Sequence, residues 1–284
     1  MATLKDLKIK NALRCPICSG TMDITDGNGS GTLFCNGQKK HCYDLASSGY
    51  VNLTSPGQSN GGDSKGAVRA RSEFLDLGHY APISDKICEL LCTHVSDGAL
   101  VIDAGCGEGY YSVKVAESGF SVLGLDLSKF AVEAAAKRAR RAAADNAFFA
   151  AASVFSIPVS DGSADAVVNV FAPCAEAEYS RVLRVGGRLL VVYAGPDHLH
   201  GLKSAIYEQT HRNEERADLP VGMREIARER LSYDIRVEGN TSIKSLFAMT
   251  PYYWKTSQED VKKLDGLETL ETRIDIIFAI YEKA

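Results

Sequence analysis

Residues 101–112 read VIDAGCGEGYYS. An apolar run ends at Asp103, glycines follow at alternate positions, Gly105, Gly107 and Gly109, and a helical pattern begins at once. Glycines between a strand and a helix let the backbone turn sharply and approach a ligand closely. The pattern is D-x-G-x-G-x-G, whereas a dinucleotide fingerprint carries its third glycine one place later, where Tyr110 stands. NAD and FAD are therefore disfavoured.

The next apolar run ends in LGLDLS, residues 123–128, with Asp126 at its tip. An acid there can accept both hydroxyls of a ribose. A helix N-terminus would welcome phosphate, but Glu108 inside the loop repels it and suits a cation. A ribose, a positive charge and no phosphate describe S-adenosylmethionine. Further on, Ser153 falls where an adenine-edge contact is expected, and Asp165 precedes the fourth strand.

Around this loop, apolar runs at 99–105, 121–127, 146–152, 164–172 and 187–194 alternate with helical stretches at 108–119 and 128–145, the latter capped by Ser128. That rhythm predicts a mostly parallel sheet with helices on both faces. Residues 198–215 read as helix, 232–239 and 270–283 as strands pairing antiparallel at the sheet edge, and 242–250 as a helix between them.

The chain has 284 residues, 45% of them apolar, enough for a small module and a larger domain. A net charge of −4 gives no global basic field and argues mildly against a nucleic-acid partner; if there is one, its contacts must come from local patches. Lys65, Arg69 and Arg71 are the favoured patch; Lys137, Arg138, Arg140 and Arg141 read as a solvated helix face. No apolar leader or membrane-length run is present, so a cytoplasmic protein is expected. TSPGQSNGGDSKG, residues 54–66, has linker composition. The expected division is a small cysteine-bearing module over 1–54, a linker over 55–70 and a larger domain with the glycine loop over 71–284.

Residues 15–44, CPICSGTMDITDGNGSGTLFCNGQKKHCYD, hold four of the eight cysteines. Cys15 and Cys18 offer two thiolates to one ion, and Cys35 with His41 or Cys42 completes a tetrahedral set. The softer Cys42 is slightly favoured on chemistry alone. Four protein ligands close a site, making it structural, and so short a piece depends on the metal for its folding energy. A thioredoxin-like redox pair would need its own βαβ surroundings, absent here. The scattered Cys88, Cys92, Cys106 and Cys174 read as buried small hydrophobes. Lys5, Lys8, Lys10, Arg14, Lys39 and Lys40 give the module a local basic excess.

The whole chain resembles the RlmA-type 23S rRNA (guanine-N1)-methyltransferases. The resemblance is carried in order by CPIC (15–18), HCYDLASSGYVNL (41–53), GDS (62–64), FLDLGHYAPI (74–83), DAGCGEGYYS (103–112), LDLSK (125–129), AAAKR (134–138), APC (172–174), GPDHL (195–199) and MTPYYW (249–254). It implies a zinc-ribbon-like module joined to a class I S-adenosylmethionine-dependent methyltransferase domain with a seven-stranded Rossmann-like sheet. It also implies a homodimer acting on a 23S rRNA hairpin in the bacterial cytosol, in a family where some members confer macrolide resistance and others do housekeeping. Through H-x-[FY]-D it makes His41 the fourth zinc ligand with Cys15, Cys18 and Cys35. Matched motifs put Tyr80, Gly107, Glu108 and His198 against the donor, and the class I pattern adds Asp103 and Asp126. This sequence departs from the family in the five residues between Cys35 and His41 and in a longer loop from Thr21 to Gly31.

Methyltransferases acting on exocyclic amines carry Asn or Asp, two prolines and an aromatic after the fourth strand. Here NVFAPC, residues 169–174, lacks that tetrad, which points to a ring nitrogen. Phe171 could stack on a flipped base or belong to the core, and no residue stands out as a general base. The rival readings are a small-molecule methyltransferase with the zinc module as scaffold, and a non-catalytic RNA-binding sensor.

Overall fold

The computed structural model describes residue 4 and residues 7–25, 31–55, 62–213 and 222–284. The chain begins with helix α1 (Leu7–Ala12) and three short strands, β1 (Met22–Thr25), β2 (Thr32–Cys35) and β3 (Cys42–Asp44), which form an antiparallel sheet. Strand β4 (Tyr50–Asn52) and helices α2 (Lys65–Leu75) and α3 (Ala81–His94) lead into the alternating part. There β5 (Leu100–Ala104), α4 (Tyr110–Glu117), β6 (Ser121–Asp126), α5 (Lys129–Arg141), β7 (Ala147–Ala151), β8 (Ala164–Val170), α6 (Glu176–Val182) and β9 (Leu183–Ala194) follow in turn. The chain ends with α7 (His200–Ile206), β10 (Met223–Glu238), α8 (Asn240–Ala248), a 3-10 turn (Pro251–Trp254), α9 (Gln258–Lys262) and β11 (Thr269–Lys283).

The large sheet has the order β10-β11-β9-β8-β5-β6-β7-β4. Strand β11 is antiparallel to both β9 and β10, so β10 runs in the same direction as β5 to β9. The expected seven strands are present, and β4 adds an eighth on the edge of β7. Every residue of β5 is buried, as a central strand covered on both faces requires. Ser128 caps α5 as expected, its hydroxyl accepting from the Ala131 N–H at 3.3 Å.

The hydrogen bonds draw the domain division differently from the sequence. β4 lies within residues 1–54 yet belongs to the large sheet, and α2 starts inside the stretch 55–70; residues 56–61 of that stretch lie outside the described residues. The N-terminal module is fastened to the loop after β7 by Arg14 N–H to the Pro158 carbonyl at 2.8 Å and Ser160 N–H to the Ala12 carbonyl at 2.9 Å. Arg140 on α5 adds bonds to the Ser47 and Ser48 carbonyls. Ile9, Leu13, Leu33, Val51 and Leu53 share one buried cluster with Leu123, Leu125, Phe148 and Val159. The module, too small for a core of its own, uses one face of the sheet.

Two readings change. The helix expected over 198–215 stops at Ile206, where Tyr207 turns extended; residues 214 and 215 lie outside the described residues. Of the four scattered cysteines, Cys106 is buried, Cys88 and Cys174 are half-buried, and Cys92 on the outer face of α3 is exposed. No helix among the described residues is long and apolar enough to cross a membrane.

Candidate functional site

The loop after β5 is held in the left-handed region at each of its glycines, with φ +91° at Gly105, +54° at Gly107 and +79° at Gly109. A Cβ at Gly105 would stand 2.5 Å from Ala172 Cβ, and one at Gly109 would stand 2.8 Å from Ala135 Cβ. At Gly107 the nearest atom would be Arg71 Nη1 at 3.6 Å, so this is the open side of the loop. The loop is pinned to the tip of β6: Gly105 and Cys106 N–H groups donate to the Leu125 carbonyl at 2.8 and 2.9 Å. Asp126 accepts from Gly107 N–H at 3.1 Å with one oxygen and from Ser128 N–H at 2.8 Å with the other.

Three carboxylates gather here, Asp103 and Glu108 buried and Asp126 half-buried. Asp103 is pushed up to about 7 by burial and accepts from the Ser112 hydroxyl at 2.5 Å. Burial also raises Glu108, against the pull of Arg138, and Asp126, against the Ser128 and Gly107 N–H groups. Glu108 Oε1 lies 3.6 Å from Arg138 Nη2 and accepts no hydrogen bond from the described residues. A negative charge that is incompletely matched beneath an open glycine fits a cationic ligand group. Arg138 thus belongs to the site's foundations and not to a solvated face; it also pairs with Asp76 at 2.7 Å and lies over the Tyr110 ring.

The GDS segment closes the β6 side. Ser128 Oγ donates to the Asp63 carbonyl at 2.7 Å, and Arg71 pairs with Asp63 at 2.5 Å. Ser153, after β7, accepts from Phe155 N–H at 3.2 Å. Asp165 is structural, accepting from Leu100 N–H at 2.8 Å and Arg184 at 2.7 Å.

Beside the loop stands an aromatic group built from three distant segments. Tyr80, Phe171 and His198 have ring centroids 6.0 to 6.4 Å apart, with the Phe171 and His198 rings stacked and nearly parallel at 15°. Phe171 is 44% exposed at φ +52°, so it is no core residue. His198 Nδ1 accepts from Asp275 N–H at 3.3 Å, which leaves the proton on Nε2, 3.5 Å from the Tyr80 hydroxyl. Burial pushes His198 down to about 4 and raises Tyr80, so the imidazole is neutral and the phenol protonated at pH 7. Asp275 accepts from Arg230 Nε and Nη2 at 2.6 and 2.8 Å. Asn169 is likewise committed: it donates to the Pro173 carbonyl at 3.0 Å and to Tyr179 at 2.9 Å.

Across a separation of 26 residues from Cys15 to His41, the knuckle brings Cys15, Cys18, Cys35 and His41 together, their ligand atoms within 4.8 Å of one another. His41 Nδ1 lies 3.5 Å from Cys15 Sγ and 3.4 Å from Cys35 Sγ, and the Cys18 and Cys35 sulfurs are 3.6 Å apart. Tetrahedral zinc with ordinary Zn–S and Zn–N lengths sets S···S near ~3.8 Å and S···N near ~3.5 Å. The residues fit zinc. Cys42, which chemistry alone slightly favoured, is exposed on β3 and outside the cluster. His41 N–H donates to Cys35 Sγ at 3.2 Å and lowers that thiol to about 6, favouring the thiolate that a metal needs. Tyr43 OH lies 3.2 Å from Cys15 Sγ as a further support. Of the longer loop from Thr21 to Gly31, residues 26–30 lie outside the described residues.

Sequence reading assigned no role to Asp63, Tyr43 or Asp275; it put Arg71 in a nucleic-acid patch and Arg138 on a solvated face, whereas Arg71 pairs with Asp63 and Arg138 stands beside Glu108. The local signals were the GDS triplet, which holds Asp63, and AAAKR, which ends at Arg138.

A parallel sheet of this order, with a glycine loop after its central strand and an acid at the tip of the next, defines a class I S-adenosylmethionine-dependent methyltransferase. Residues 95–248 match the family described as "Methyltransferase domain", and the solved YcgJ protein from Bacillus subtilis shares the fold, with a TM-score of 0.50 and 18% identity over 70% of this chain and 97% of that one. The chain belongs to the 23S rRNA (guanine-N1)-methyltransferase family. It is 32% identical to the 23S rRNA (guanine(748)-N(1))-methyltransferase of Streptomyces fradiae, over 94% of this chain and 95% of that one. It is 30% identical to the putative 23S rRNA (guanine-N(1)-)-methyltransferase YxjB of Bacillus subtilis, over 93% and 94%.

Proposed function

We propose that the protein transfers a methyl group from S-adenosylmethionine to N1 of a guanine in a hairpin loop of 23S rRNA, in the cytoplasm and as a homodimer. The carrying observation is that one chain welds a Cys3His knuckle to a donor loop of the methyltransferase class, over nearly the full length of relatives bearing that name. Residues 1–54 serve RNA recognition and residues 71–284 methyl transfer.

In this reading Tyr80, Asp103, Gly105, Gly107, Glu108, Gly109, Asp126, Ser153 and His198 surround the donor, with Asp126 on the ribose, Ser153 at the adenine edge and Glu108 beneath the positive charge. The donor brings an electrophilic methyl group; the protein orients the acceptor. Phe171, exposed beside the glycine loop, suits stacking on a guanine taken out of its stack. The commitment of Asn169 to Pro173 and Tyr179 removes the usual holder of an exocyclic amine, which favours a ring nitrogen.

Guanine N1 carries a proton. His198 has no free lone pair, since Nδ1 accepts from Asp275 N–H and Nε2 holds the proton, and Tyr80 is protonated at pH 7, so the N1 proton leaves to water; what the two side chains supply is hydrogen-bond donation, which suits negative charge developing on O6. The test is to incubate zinc-loaded protein with tritiated S-adenosylmethionine and unmodified 23S rRNA, then map the product by primer extension. A stop one nucleotide before a single guanine is expected, because an N1 methyl blocks pairing. Bound donor without labelled RNA would instead support a small-molecule acceptor.

A further inference from the structure

MTPYYW is the quoted motif that the donor site leaves unused. Its 3-10 turn, Pro251–Trp254, lies in the insertion after β10. Because β10 runs with β5 to β9, the insertion opens at the end of the sheet that carries Asp103, Asp126 and Phe171.

The turn is anchored on the side facing the protein. Thr250 Oγ1 donates to the Phe247 carbonyl at 2.7 Å and Thr256 Oγ1 to the Tyr252 carbonyl at 2.8 Å. Tyr252 OH donates to Asn213 Oδ1 at 3.3 Å, and Asn213 Nδ2 donates to the Gly195 carbonyl at 2.8 Å, three residues before His198. Lys203 Nζ donates to the same Asn213 oxygen at 2.6 Å and sits over the Tyr252 ring. Tyr252 therefore couples the turn to the GPDHL loop.

Its neighbours face outward. Tyr253 is 45% exposed and Trp254 73%, with their rings perpendicular and centroids 5.0 Å apart. Lys255, next in sequence, is exposed as well. A large aromatic left in water on a fixed turn, with a cation beside it, has the make-up of a nucleobase stacking surface. The chemistry of the acceptor points the same way. N1 lies on the pairing edge of guanine, so the target must be unpaired, and unpaired loop neighbours offer free π-faces.

We propose that Trp254, with Tyr253, is a stacking platform for unpaired RNA bases flanking the guanine that enters at Phe171. This rests on the RNA reading above. Trp254 is the only tryptophan in the chain, so intrinsic fluorescence reports on this position alone.

The experiment titrates zinc-loaded full-length protein with an unmodified 23S rRNA stem-loop fragment and with a fully paired duplex of the same stem, while filter retention measures binding independently. Quenching is expected with the stem-loop, saturating in step with retention, and not with the duplex. Trp254→Ala should weaken stem-loop binding on the order of tenfold while donor affinity holds, and Trp254→Phe should restore most of the loss. Retained stem-loop with undiminished emission, equal quenching by duplex, or wild-type affinity in Trp254→Ala would each overturn the platform and leave the RNA reading standing. Emission that changes with protein concentration alone would mark a self-association surface and overturn it too. No retention of any RNA would overturn the RNA reading itself.

Discussion

Asp103 sits under the glycine loop with a carboxyl that burial lifts from 3.8 to about 7, and Glu108 and Asp126 move in the same direction. Between pH 4 and 7 the folded, ligand-free protein therefore holds protons that the unfolded chain has released. These groups make stability greatest below about pH 4 and lower it as pH rises toward 7. His198 acts oppositely: its contribution is complete above pH 6.5 and lost as pH falls toward 4. A positively charged donor favours the ionised carboxylates, so its binding at pH 6.5 should release protons and tighten as pH rises to 8. Calorimetric titration in two buffers of different ionisation enthalpy should give unequal heats, and Asp103→Asn should shrink the difference. Equal wild-type heats would refute the coupling. Glycines, strand-tip acids and the Cys pairs were legible because short spacing encodes them. Their supports were not: Tyr43 meets Cys15 from 28 residues away and Asp275 meets His198 from 77, and no local pattern records such encounters.

At the scale of elements, the loop between β5 and α4 separates packing from ligand approach. Gly109→Ala meets Ala135 and a left-handed φ, so overpacking of about 1–3 kcal/mol joins about 1 kcal/mol of backbone strain. A fall of several degrees in thermal midpoint is expected. Gly107→Ala has room and carries only the backbone strain of about 1 kcal/mol, yet it adds a methyl on the open side. It should lower donor affinity by at least tenfold with a smaller effect on melting; the reverse ranking by calorimetry and equilibrium dialysis would contradict this assignment of the loop. The alternation from β5 to β9 was legible because buried parallel strands are nearly continuous apolar runs. Strand β10 was read only over 232–239, although it covers 16 residues, because its first half, MREIARER, carries the charges of an exposed sheet edge.

Across the whole molecule, the zinc module and the sheet share apolar residues and backbone hydrogen bonds. Removing the metal should therefore be felt beyond the knuckle. A strong chelator, or Cys35→Ser, is expected to lower the melting temperature of the full chain in one cooperative transition and to weaken donor binding. Scanning calorimetry that shows the knuckle melting alone, with the main transition unmoved, would refute the coupling. The sequence revealed two pieces by composition, but not their union, since β4 looks like the end of the first piece and pairs like the last strand of the second.

That pairing has a consequence for synthesis. Asn52 waits for Ala151, its partner on β7. A ribosome moving at roughly 5–20 residues per second needs about 5–20 s to make the intervening segment. During that interval the knuckle lacks the surface it will rest on. Its four metal ligands lie within 27 residues, from Cys15 to His41, and loops of that size close far faster than translation proceeds. The knuckle, made well before β7, can therefore take its shape around an ion early, and become one of the last parts to dock.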